Sequence, residues 1–186
     1  MPSTLAGKNI AILAADGFDE HQVTEIQKAF VREGAHSRMI AAEAGIVNGW
    51  QGDGWGHHFH VDAPISEALG SDFDMLVLPG GTRAAAKLKT NLHTRRIVNH
   101  FVEANKPITA IGAGAGLLAL AAAISGRTVA APDDAAIELK AAGVVTGMDN
   151  QEIDGNIFSA KGDNLAAWVE GTISFFSDAE LVTRAA

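Results

Sequence analysis

Residues 107–123 read PITAIGAGAGLLALAAA, an apolar run that passes through a glycine turn into alanine-rich sequence. The β-branched start suits a buried strand, and LLALAAAI (117–124) has the composition of a helix. A strand that turns sharply into a helix is where α/β hydrolytic enzymes display a nucleophile. Here the turn holds only Gly112, Ala113, Gly114, Ala115 and Gly116, so it carries no reactive side chain.

Working outward, the same alternation recurs. NIAILAA (9–15) is a continuous apolar run of the kind found in a strand covered on both faces. After the polar turn DGFDE (16–20), Val23, Ile26, Ala29 and Phe30 recur at helical spacing, and Gly34 supplies a stop. HSRMIAA (36–42) is the next strand, and DMLVLPGG (74–81) a third, stopped by Pro79 and two glycines. TRRIVNHFVEAN (94–105) has a helical apolar face, PITAIG (107–112) is the fourth strand, and GRTVAAP (126–132) reads as another. DDAAIELKAAG (133–143) is predicted to be a helix with acidic residues near its start and Gly143 at its end. Asp154-Gly155 marks a hairpin turn within QEIDGNIFSA, and Leu165, Trp168, Val169 and Ile173 share one face of a final helix. Repeated alternation of this sort predicts one α/β domain over 1–186, a doubly wound parallel sheet with helices on both faces.

Composition narrows the functions. The chain has 186 residues, a formal charge of −8 and only 14 scattered Lys and Arg residues, which disfavours a nucleic-acid surface. No apolar stretch approaches the roughly 20 residues of a membrane span, so no membrane partner and a cytoplasmic location are expected. Zero cysteines exclude disulfides, thiolate metal sites and thiol nucleophiles from this chain.

In doubly wound sheets, ligands gather where the C-terminal ends of strands meet helix N-termini. The turns to consider are therefore 16–20, 79–83 and 112–116. At these turns the sequence resembles a family. ADGFDE, MLVLPGG, PITAIGAGAGLL, GRTVAAPDD and SAKGDNLAAWVEG occur in the order seen in the ThiJ/PfpI superfamily, over roughly residues 7–176. GWQGDGWGHHFHVD is similar to the PfpI-type stress-protein branch, and PITAIGAGAGLL also resembles the domain at the C-terminus of large-subunit catalases. The resemblance implies a flavodoxin-like, class I glutamine amidotransferase-like fold with an added β-hairpin. It also implies a crevice in which active members carry a cysteine followed by a histidine at the elbow, near a carboxylate from the first turn. Aligned through AIGAGAGLL, the cysteine position is Gly112 and the histidine position Ala113; the carboxylate most nearly matches Asp19. Covalent attack by a thiolate needs an atom that glycine does not have.

Other residues admit two readings each. Gly112, Gly114 and Gly116 form G-x-G-x-G rather than the dinucleotide G-x-G-x-x-G, which suits close strand–helix packing and calls for no cofactor. His57, His58 and His60 look like metal ligands, and His58 and His60, which would share a strand face, could hold zinc with Asp53 or Asp62, but their spacing also fits solvated histidines on a hairpin, and no metal is expected. Asp16, Asp19 and Glu20 are either pocket carboxylates or an acidic cap on the next helix. Trp50, Trp55 and Phe59 make either a lid over the crevice or an interface, and the family resemblance implies a homodimer or higher homo-oligomer.

Two functions follow. In the first, the protein is a noncatalytic ThiJ/PfpI-like domain, a pseudoenzyme whose crevice, formed by Asp19, Gly80, Gly81, Gly112, Ala113 and Gly114, binds a small anionic or carbonyl ligand or serves in stress response. In the second, it is an enzyme of amidase, peptidase, glyoxalase or deglycase class with a cysteine-independent mechanism in which Asp19 or Glu20 acts as general base.

Overall fold

The computed structural model describes residues 4–186. The first strand, β1 (Asn9–Ala14), is buried from Ile10 onward, and its chain neighbours spread to either side of it. Beyond the short β2 (Phe18–Asp19), helix α1 (Glu20–Arg32) leads to β3 (His36–Ala41), which pairs parallel to β1. Strands β4 (Gly45–Gln51) and β5 (Gly54–Val61) form the expected hairpin, and β6 (Ala63–Pro64) adds to the outer side of β3. The chain then returns to the other side of β1 as β7 (Met75–Leu78), followed by α2 (Thr82–Lys89), α3 (Leu92–Glu103) and β8 (Ile108–Ile111). Strand β9 (Thr128–Val129), helix α4 (Asp133–Ala141) and strand β10 (Val145–Thr146) precede the hairpin β11 (Gln151–Asp154) and β12 (Ile157–Ala160). The last helix is α5 (Leu165–Ala185).

The main sheet has seven strands in the order β11-β12-β8-β7-β1-β3-β6, parallel except for β11. Strand order reverses between β1 and β7, and the C-terminal ends of those two strands are where a doubly wound sheet opens a crevice. Strands β7, β8 and β12 are buried along their whole length, as their unbroken apolar runs require. The β4–β5 hairpin joins β2 in a separate three-stranded sheet above the end of β1.

Helix α5 is tied to the sheet through a buried polar chain: Trp168 Nε1 donates to Thr109 Oγ1 (2.9 Å), which lies 2.8 Å from Thr172 Oγ1. Each side-chain polar atom of this Trp168–Thr109–Thr172 link meets a partner, and that is the condition for burying it cheaply. At its far end Phe176 stacks on Phe30 of α1, and buried Glu180 pairs with Lys8 (2.7 Å) and Arg184.

The structure departs from the sequence reading in three places. The helix expected over 117–124 is a 3-10 segment over Gly112–Leu120. Gly114 passes so close to the carbonyl oxygens of Leu78 and Pro79 that no β-carbon fits, and α3 ends the segment: Asn99 accepts from Ala122 N (2.7 Å) and Arg95 donates to Leu120 O. The strand expected over 126–132 is paired only at β9. Conversely, residues 82–89, for which the pattern predicts no element, form helix α2, whose Ala84, Ala85 and Leu88 bury one face.

The Gly114 contact is with backbone, which cannot move aside. Gly114→Ala is expected to cost about 1–3 kcal/mol in urea unfolding, whereas Gly54→Ala, whose β-carbon meets open space, should stay within about 0.5 kcal/mol of the parent. Equal stabilities for the two variants would refute the close packing of the elbow.

Candidate functional site

The turns after β1, β7, β8 and β12 converge on a crevice of about 410 Å³ lined by Gly17, Asp19, Gln22, Trp50, Gly80, Gly81, Thr82, Arg83, Gly112, Ala113, Lys161 and Gly162. Glycine makes the convergence possible. A β-carbon on Gly17 would sit 2.6 Å from Arg83 Cβ, and one on Gly81 would strike the backbone of Gly17 and Phe18. Gly81 also holds φ +110°, outside the comfortable range of other residues.

Two hydrogen bonds lock the first turn and the start of α1 to the 79–83 turn. Asp19 N donates to Gly80 O (2.9 Å), and Gly80 N donates to Gln22 Oε1 (2.7 Å). The Asp19 carboxylate lines the crevice, but its Oδ1 accepts from Gln22 N (3.0 Å) and so caps α1. Asp16 accepts from Asn48 N (2.9 Å) and lies 3.3 Å from Lys87 Nζ, joining the same turn to the hairpin and to α2.

Glu20 faces the other way. It is 4% exposed and is absent from the crevice lining, so the structure does not place it where the general-base alternative needs it. Its carboxylate accepts from His57 N (2.7 Å) and Gln51 Nε2 (3.1 Å) and lies 2.5 Å from His57 Nδ1. Gly49 and Gly56 leave the space that it fills. Burial pushes the carboxyl up, but the side-chain and backbone hydrogen bonds from His57, with the imidazole charge, together hold it below its ordinary value of 4.5. Glu20 is thus the staple that holds the hairpin to the start of α1.

The hairpin residues divide their roles. Trp50 lines the crevice, with the Arg83 guanidinium carbon 4.3 Å from its ring centroid and Trp55 edge-on at 5.2 Å. Trp55 is 59% exposed, and Phe59 packs edge-on against Phe18 at 5.1 Å. Trp50 is thus a crevice wall, Trp55 its exposed edge-on neighbour, and Phe59 a half-buried residue packed against the core. His57 is held by Glu20, His58 lies against Asn48, and His60 pairs across the hairpin with Ile46. Asp62 accepts from Met39 N and Asp53 lies in the exposed hairpin turn. Among the described residues no three His, Asp or Glu side chains are grouped to hold a metal ion.

At the elbow, Gly112 has φ +58°, and a β-carbon there would meet only Gly80 Cα at 3.8 Å and Lys161 O at 3.9 Å. Gly112, Ala113, Gly80 and Gly81 line the crevice as expected. Gly114, expected beside them, is instead buried beneath the elbow, pressed on the backbone of β7's end. Gln22, Thr82, Arg83 and Lys161 were not read as site residues. Lys161 directly follows the buried strand β12, and Arg83 lies in the first turn of α2 within the 79–83 turn; those positions were the available signal.

The DJ-1/PfpI family profile matches residues 8–174. The chain belongs to the DJ-1/PfpI family. It is 33% identical over 138 residues to General stress protein 18 of Bacillus subtilis, covering 74% of this chain and 78% of that one. It is 31% identical over 166 residues to Deglycase TK1284 of Thermococcus kodakarensis, covering 86% and 94%. Catalase HPII of Mycobacterium avium is 30% identical over 115 residues, 62% of this chain and 16% of the catalase. The ThiJ/PfpI domain protein from Brachyspira murdochii has the same fold, with a TM-score of 0.83, 19% identity and coverage of 93% and 98%. In this DJ-1/PfpI chain the elbow holds a left-handed backbone at Gly112 and presents no side chain. Among the described residues no helix is long and apolar enough to cross a membrane.

The Glu20 staple has a pH signature. A carboxyl whose pKa falls on folding adds stability above its ordinary 4.5 and loses it as pH drops through the folded value. Glu20→Gln should cost about 1–3 kcal/mol at neutral pH, with the deficit shrinking in acid, below the ordinary 4.5. Chemical unfolding at neutral and at acid pH, with tryptophan emission as probe, checks this. A deficit that is constant with pH would remove the charge from the explanation.

Proposed function

We propose that this DJ-1/PfpI domain acts without covalent chemistry, as a binding member of its family whose crevice takes a small anionic or carbonyl-bearing ligand in a stress-related role. The observation that carries the reading is the elbow itself. Residue 112 keeps the φ of +58° but has no side-chain atom, and Ala113 next to it has no base. Thr82 is the lone hydroxyl of the crevice lining and has no histidine beside it there. Asp19, the one carboxylate of the lining, has its Oδ1 committed to the cap of α1, which weighs against the general-base alternative.

Purified protein is therefore expected to consume methylglyoxal no faster than a buffer blank, alongside a cysteine-bearing family member as positive control. Consumption above the blank that survives repurification and is abolished by Asp19→Asn would overturn this reading in favour of the cysteine-independent enzyme. Restoring the missing groups with Gly112→Cys and Ala113→His tests whether the crevice has kept its electrostatics. Space is available at position 112, so the strain is that of a left-handed non-glycine residue, about 1–2 kcal/mol. The introduced thiol, in a crevice lined by Arg83 and Lys161, should have a pKa below about 8.5 by the pH dependence of iodoacetamide labelling. An ordinary or raised value in a folded variant would mean that the cations do not act on the elbow.

The proposal includes a cytoplasmic location and self-association. Trp55 and Ile46, 59% and 61% exposed on the hairpin, support an interface between copies of the chain. Light scattering at micromolar concentration should report at least a dimer, and Trp55→Ser with Ile46→Ser should weaken it. A strictly monomeric mass would withdraw the interface.

A further inference from the structure

We infer that Asp53-Gly54, at the tip of the β4–β5 hairpin, is a site of spontaneous isoaspartate formation, and that this modification loosens the Trp50 wall of the crevice. The inference stands on the fold and does not depend on what the crevice binds.

An Asp or Asn followed by glycine is chemically labile. The glycine amide nitrogen, with no β-carbon to hinder it, attacks the side-chain carbonyl carbon and closes a five-membered succinimide. From Asp the leaving group is water, and from Asn it is ammonia. Water then adds to one of the two ring carbonyls. Opening at the side-chain carbonyl gives aspartate, whereas opening at the main-chain carbonyl leaves the chain running through the side chain as an isoaspartyl linkage. Starting from Asp, one water leaves and one returns, so mass is unchanged and no oxidant or reductant takes part.

The chain has one Asn-Gly pair, Asn48-Gly49, and three Asp-Gly pairs, at 16–17, 53–54 and 154–155. A neutral amide is a better electrophile than a carboxylate, so the sequence ranks Asn48 first. The fold reverses that order. Asn48-Gly49 lies in β4, the central strand of the hairpin sheet, where Gly49 pairs with Phe18 and is pressed by the Glu20 side chain. Asn48 Oδ1 meets His58 Nδ1, while its main-chain N and O are held by Asp16 Oδ1 and Gly17 N. That last bond (2.8 Å) also engages the very nitrogen that would attack Asp16, whose carboxylate is shared between Asn48 N and Lys87. Asp154 has both oxygens taken, Oδ1 by Arg127 Nε (3.2 Å) and Oδ2 by Thr128 N (2.6 Å). Ring closure at these three sites requires hydrogen bonds to open first.

Asp53 has no such restraint. Gly52 holds φ +60° and Gln51 pairs with Gly54, so Gly52 and Asp53 are the two-residue turn of the hairpin. Asp53 is exposed, its carboxylate makes no hydrogen bond among the described residues, and a β-carbon on Gly54 would meet open space. The last rung of a hairpin tip opens at little cost, which frees the Gly54 nitrogen to attack. The carbonyl just before Asp53, that of Gly52, accepts from Trp50 Nε1 (2.8 Å), and the Trp50 ring carries Arg83 on its face. An isoaspartyl linkage adds one methylene to the main chain at 53 and displaces this carbonyl. The crevice wall thereby loses the bond that orients its indole.

Prolonged warm incubation of the folded chain tests both halves, with peptide mapping that separates aspartyl from isoaspartyl peptides and labelling by an isoaspartyl carboxyl methyltransferase as readouts. Product should form at 53 about tenfold faster than at 16, 48 or 154, the factor imposed by one hydrogen bond that must open. In guanidinium the order should invert, with Asn48 fastest. Asp53→Glu, whose ring would need six members, should abolish product at 53 with thermal melting unchanged. In a Trp55→Phe background, acrylamide quenching of Trp50 emission should rise with isoaspartate content and stay constant in aged Asp53→Glu. Reaction fastest at Asn48 in the folded chain, or equal rates at 16, 53 and 154, overturns the site. Isoaspartate at 53 with unchanged quenching overturns its link to the crevice wall.

Discussion

The structure depends on backbone passing backbone without a β-carbon between. Where β1, β7 and β8 end, three turns converge on one small volume, and at each crossing one partner is glycine. Gly17 admits the stem of Arg83, Gly81 lies on the backbone of Gly17 and Phe18, and Gly114 lies on the carbonyls of Leu78 and Pro79. Any side chain at these points would separate the strand ends by more than the sheet's pairing allows. The convergence creates the crevice, and it also explains why the segment after β8 winds as a tight 3-10 turn although its alanines favour an α-helix.

Within that frame Gly112 differs from its neighbours. Gly17, Gly81 and Gly114 are glycine because nothing else fits, but around Gly112 there is room at ordinary contact distance. Its glycine is favoured by φ +58° and not by crowding, so a side chain there is limited by strain alone. The lack of a side chain at this position therefore does not entail collapse of the pocket. Gly80 remains clamped by Asp19 N and Gln22 Oε1 whether or not residue 112 carries a reactive group.

Much of this was legible in the sequence because the signals were local. Unbroken apolar runs such as MLVL and ITAI have to be buried strands, and Asp154-Gly155 has to turn. The family motifs then located the elbow. The acidic cluster was ambiguous for a physical reason: Asp19 closes a strand and Glu20 opens a helix, so adjacent carboxylates point to opposite sides of the turn. Asp19 reaches the crevice and Glu20 the underside of the hairpin. Nothing in composition separates them, because what distinguishes Glu20 is the empty space at Gly49 and Gly56, about thirty residues away. Gln22, Arg83 and Lys161 were missed for a related reason. Each is an ordinary polar residue until the sheet brings the ends of β1, β7 and β12 to one place.

These long-range contacts connect the staple to the crevice. Trp50 pairs with Asp19 across β2 and β4, and the hairpin that carries Trp50 is held from below by the Glu20–His57 contact. The position of Arg83 in turn depends on the Trp50 face. One turn, 16–20, therefore sets the cap of α1, the seat of the hairpin and, through Trp50, the place of a cation at the elbow.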